Sequence, residues 1–163
     1  MLSNLDLAKI LFLDIETVPE EENYQALSST RQALWEKKTS YQRKEEHSAE
    51  DFYERAGIWA EFGKIVCISV GFFDTSTSKR SFRIKSFSGE ERKLLSAFKQ
   101  LCDEHFYLKS HLLCAHNGKE FDFPYLARRM LVNGIKVPDI LNTPGKKPWE
   151  VNHLDTMEMW KFG

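Results

Sequence analysis

Apolar residues recur along this chain at two spacings, and the switches between them mark out its elements. Ala8 to Leu13 is apolar apart from Lys9, the pattern of a strand covered on both faces near the centre of a sheet. From Glu20 to about Glu61 the chain turns charged and helix-favouring. Leu27, Arg31, Leu34, Trp35 and Lys38 stand at helical spacing there, and a second helical stretch is expected after Ser48. Ile65 to Phe73 is rich in β-branched and aromatic residues, and the polar stretch Asp74–Ser78 leads into the alternating Phe82 to Phe87, so a hairpin is expected. Ser88 with Glu91 three residues on has the form of a capping box, followed by Leu94, Leu95, Phe98, Leu101 and Cys102 at helical spacing. A short strand over His111–His116, a helix from about Asp122 to Val132 stopped at Asn133-Gly134, and a Pro-, Gly-, Asn- and Lys-rich loop from Pro138 to Pro148 complete the pattern before Leu154, Met157 and Trp160 begin another helical period.

Strands and helices mixed in this order predict an α/β sheet flanked by helices. The 163 residues, 42% hydrophobic and 13% aromatic, are enough for one sizeable core, so the expectation is a single domain over 1–163 with a helical insertion at about 20–61. Lys and Arg total 23 against 24 acids, for a net charge of −1. Any polyanion binding must therefore be local, at groupings such as Arg128-Arg129 or Lys146-Lys147. The three cysteines have no C-x-x-C spacing and read as small buried hydrophobes. No signal-peptide pattern and no membrane-length apolar stretch occurs, which gives a cytoplasmic, membrane-free expectation.

Chemistry concentrates where the first strand ends. Asp14 and Glu16 in Asp14-Ile15-Glu16-Thr17 lie at i and i+2, on one face of a strand and roughly 7 Å apart. Hard divalent cations such as Mg²⁺ are held by one or two carboxylates together with water and phosphate oxygens. An ordinary acidic strand end has the same composition, so the pair alone does not identify a site. A third carboxylate, Asp122, follows the short strand in His116-Asn117-Gly118-Lys119-Glu120-Phe121-Asp122-Phe123-Pro124-Tyr125-Leu126. At a helix start before Pro124, capping alone would account for it. The five histidines show no zinc-like spacing.

Taken together, Asp14-x-Glu16-Thr17 and Asn117-x3-Phe121-Asp122-x-Pro124-Tyr125 resemble the first two motifs of the DEDD family of 3′-5′ exonucleases. The form is that of the proofreading domain of family B DNA polymerases and of stand-alone domains similar to it. The resemblance runs from Ile10 to about Trp160 and implies a ribonuclease-H-like mixed sheet flanked by helices. It implies two divalent cations, Mg²⁺ or Mn²⁺, held by Asp14, Glu16 and Asp122 as catalytic and metal-ligating residues. Ile15, Thr17, Asn117 and Phe121 would line the pocket for the terminal nucleotide of a single-stranded DNA 3′ end, with RNA as an alternative substrate.

The family's third motif, Tyr-x3-Asp or His-x4-Asp, occurs nowhere in the chain. Truncation before the last helix or helices is the expectation, with Asp155 more suited to capping a helix than to replacing the lost ligand. The competing reading is a catalytically impaired module that binds nucleic-acid ends. A haloacid-dehalogenase-like phosphatase, which needs Asp-x-Asp, fits poorly because Glu16 stands at the second position.

Overall fold

The computed structural model describes residues 5–43, 47–75, 79 and 81–163. Its elements are β1 (Ile10–Pro19), α1 (Ser29–Arg43), β2 (Gly63–Asp74), β3 (Ser81–Ser88), α2 (Glu91–His105), β4 (Leu112–Ala115), α3 (Asp122–Val132), β5 (Leu154–Asp155) and α4 (Thr156–Lys161). The chain divides into two compact units, residues 1–16 with 66–163, and Thr17–Ile65.

In the first unit the strands belong to a five-stranded mixed sheet of order β3-β2-β1-β4-β5. β1 runs parallel to β4, with Ile10 opposite Leu112 and Phe12 opposite Cys114, and β5 runs parallel to β4. β3 is antiparallel to β2 over Cys67–Asp74, the expected hairpin, although residues 76–78 and 80 of its turn lie outside the described residues. Ile10, Leu11 and Leu113 are buried because β1 and β4 are interior strands, and the long apolar run in β1 reflects this. α2 buries Leu94, Leu95, Phe98 and Cys102, and α3 buries Phe123, Tyr125, Leu126 and Met130, the one-sided stripe of an amphipathic helix. Cys102 and Cys114 are buried free thiols, pushed up to about 12 and about 11 by burial.

Two local expectations change. Ser88 does not cap α2: Glu90 occupies the cap position without a side-chain bond. The carboxylate of Glu91 instead accepts from Arg129 at both oxygens, 2.8 and 2.6 Å, and from Asn133 Nδ2 at 2.9 Å. A bidentate guanidinium pair of this kind outcompetes a capping bond. Arg129 is only 3% exposed, so Arg128-Arg129 is not a free basic patch.

The second unit is built round Trp35. Its ring packs against Phe52, Tyr53, Trp59 and Phe62 with centroids 5.1 to 6.2 Å away, and its indole N–H donates to the Ala49 carbonyl at 2.8 Å. Trp35 and Thr39, one turn apart, are the buried side of α1, whereas Leu34 faces outward. The helical stretch after Ser48 is a 3-10 helix over Asp51–Ile58 rather than an α-helix.

Among the described residues, no helix is long and apolar enough to cross a membrane.

Candidate active site

Chain order makes β1 a branch point of the sheet: from β1 the chain goes to β2 and β3 on one side and only later to β4 and β5 on the other. In open α/β sheets the crevice outside the carboxyl ends of the strands at such a point is where ligands bind. Asp14, Ile15 and Glu16 extend β1 beyond its last pairing with β4 at Phe12. Alternation holds there. Asp14 and Glu16 are exposed, while the Ile15 side chain is 6% exposed and turns into the core.

The second motif arrives from β4. After Ala115 the chain reverses at Asn117, whose φ of 62° lies in the left-handed region that Asn tolerates better than most residues. Gly118 follows because a Cβ there would sit 2.4 Å from the Ala115 Cβ and 2.9 Å from the Phe123 ring. The turn closes with Phe121 N–H donating to the Asn117 carbonyl at 3.0 Å and Phe123 N–H to that of Gly118 at 2.9 Å. α3 then starts at Asp122.

Asp122 is not spent on capping its helix. Its Oδ1 accepts the backbone N–H of Ile15 at 3.2 Å, across 107 residues of sequence, so the third carboxylate is tied to the backbone between the first two. Asp122 is 3% exposed, and burial, followed by the charge of Asp14, pushes its carboxyl up to about 6. The structure thus brings Asp14 and Asp122 together. Glu16 shares the Asp14 face of β1, but no group of three or more His, Cys, Asp or Glu side chains among the described residues is close enough to hold a metal ion. The donors near the crevice are carboxylate oxygens, and Asp14 raises the proton affinity of Asp122; both properties suit a hard dication, which would relieve that repulsion.

The remaining predicted residues contribute in different ways. Ile15 presents its amide to Asp122 rather than its side chain to the crevice. Asn117 supplies the left-handed turn, and its N–H donates to Asp155 at 2.9 Å. Phe121 is half-buried, its ring 5.3 Å from that of Tyr125. Thr17 is half-buried and begins the second unit.

Asp155 is the residue whose part the sequence understates. Its carboxylate accepts from Asn117 N–H and Met157 N–H at 2.9 Å each and from Lys119 N–H at 3.1 Å. Burial opposes its ionisation, but these amides and that of Glu158 hold it below the usual carboxylate range. Asp155 therefore caps α4 and also anchors the turn carrying Asn117. The helical period after Leu154 signals the capping role; nothing in the sequence signals the anchoring role, because its partners lie 36 and 38 residues away.

A family described as predicted 3′-5′ exonucleases related to the exonuclease domain of PolB matches residues 58–161. Among solved structures, the family B DNA polymerase from the hyperthermophilic archaeon Pyrobaculum calidifontis aligns with 93% of this chain at a TM-score of 0.49 and 18% identity. The aligned part is 16% of that polymerase, so the chain spans a small fraction of its length. No curated protein matches the chain.

Proposed function

The chain belongs to the family of predicted 3′-5′ exonucleases related to the exonuclease domain of PolB, and from that premise we propose that it removes nucleotides from the 3′ ends of single-stranded DNA by divalent-metal-dependent hydrolysis on a ribonuclease-H-like sheet. The observation that carries this reading is the hydrogen bond from Ile15 N–H to Asp122. It joins the two motifs at the carboxyl ends of parallel strands, although each motif by itself has an ordinary structural explanation.

Asp14, Glu16 and Asp122 would hold Mg²⁺ or Mn²⁺, which when bound supplies Lewis-acid stabilisation of phosphate charge and an acidified water. Asp122 is a better anion above pH 6 than below it, since burial and Asp14 raise its proton affinity. The amide of Ile15 fixes its orientation. Asn117 and the half-buried Phe121 ring flank this carboxylate along the chain and provide a polar contact and a stacking face for the terminal nucleotide.

Incubation of a 5′-labelled single-stranded oligonucleotide with the protein and Mg²⁺ or Mn²⁺ should give a ladder of products shortened from the 3′ end. Asp14→Ala should lower the rate by more than about 100-fold, above the 10- to 100-fold range typical of losing a residue that only supports a ligand. A ladder unaffected by Asp14→Ala would sink the proposal.

A second reading is favoured by the lack of a three-donor cluster among the described residues: a module that binds nucleic-acid ends without cleaving them. It predicts affinity that follows salt in the same way with or without Mn²⁺, and no ladder.

A further inference from the structure

With a net charge of −1, the protein must draw a polyanion through a local surface. Of the two basic pairs that follow the second motif, Arg128-Arg129 is half consumed by the buried Arg129–Glu91 ion pair. Lys146-Lys147 remains. It lies in the loop before the short 3-10 turn Pro148–Glu150, where Trp149 is 74% exposed. An indole so exposed on a turn contributes little to packing. The turn is pinned instead by Lys147 N–H donating to the Glu150 carboxylate at 2.8 Å, and the Lys147 ammonium stands 5.2 Å from the centre of the Trp149 ring.

This loop faces the second motif across a cavity. About 280 Å³ in volume, it is bounded by Lys119, Glu120 and Phe123 of the turn and start of α3, and by Thr143, Lys146 and Pro148 of the loop. Lys146 also borders a larger cavity of about 620 Å³ on the side of His111 and Asn142. Acids are present as well, but two of them are engaged: Glu158 pairs with Lys119 at 2.7 Å, and Glu150 holds the turn.

Resting on the exonuclease reading, we infer that Lys146, Lys147 and Trp149 form a docking surface for the single strand leading to the Asp14–Asp122 crevice. Trp149 stacks a base, and the two ammonium groups meet the phosphates on either side of it. Aromatic faces interleaved with cations suit single strands of any sequence, because every base has a face to stack and every nucleotide carries a phosphate.

Fluorescence anisotropy of a labelled single strand, in DNA and RNA versions, with the full chain in EDTA tests this without cleavage. Trp149→Ala should weaken binding by roughly tenfold, with Trp149→Phe retaining most of the affinity. The double variant Lys146→Gln/Lys147→Gln should reduce the salt slope by about 1.4. Trp160→Ala, which removes another exposed indole on α4, should leave binding as it is. Unchanged affinity in Trp149→Ala, or an equal loss in Trp160→Ala, overturns the inference. A ladder in Mn²⁺ with Trp149→Ala binding unchanged refutes the docking surface alone, while weakened binding without any ladder refutes the exonuclease reading and leaves the surface standing.

Discussion

Single residues here carry opposing pH dependences. Asp122 titrates near 3.8 when unfolded and at about 6 in place, so the folded protein holds this proton more tightly. Its ionisation costs stability above pH 6, and the cost disappears as the pH falls below 3.8. Asp122→Asn keeps an oxygen to accept from Ile15 N–H and removes the charge. In EDTA it should therefore be more stable than the parent, by about 3 kcal/mol at about pH 8, with the gap closing near pH 4 in urea titrations. His153 behaves in the reverse sense. Its Nδ1 accepts from Leu113 N–H at 3.2 Å and its Nε2 donates to the Ile140 carbonyl at 2.9 Å. Burial lowers it from 6.5 to about 4, so the unfolded chain takes the proton first and stability falls as the pH drops from 6.5 to 4. That loss, about 3 kcal/mol in all, should be absent from His153→Gln, measured by the same titrations.

At the scale of elements, the turn between β4 and α3 is where a small change is felt most. Gly118→Ala drives a methyl against the Ala115 Cβ, which is fixed to a buried strand and cannot rotate away. A destabilisation of about 1–3 kcal/mol in the urea midpoint is expected. The turn holds Asn117 and Asp122 in place, so the proposed exonuclease activity should fall further than the lost folded fraction explains. β1 was legible as an element because a buried centre and an alternating end leave different periodicities in one strand. The capping box at Ser88 was not: Glu91 has the right spacing, but Arg129 from another helix takes its carboxylate. α1 was legible as a helix, yet its buried side depends on the rings gathered round Trp35, which local spacing does not report.

For the whole molecule, the proposed binding of a dication at the crevice should appear as linkage. Mn²⁺ at about 100 times its dissociation constant should add about 2.7 kcal/mol to stability, read as a rise in Tm. Asp14→Ala should show no such rise, and one equal to that of the parent would place the ion elsewhere.

The sequence by itself determined which carboxylates are candidates, that Asp14 and Glu16 share a strand face, and that strands alternate with helices, because these follow from residue type and from short-range periodicity. The tertiary structure decided which candidates meet: it set Asp122 on the amide of Ile15 beside Asp14, turned Asp155 to anchor Asn117, and buried Arg129 while leaving Lys146 and Trp149 in the open. Each of these depends on a contact between residues far apart in the chain or on the strand order that separates β2 from β4. Neither a period nor a spacing encodes such contacts, since they are settled by how the elements pack.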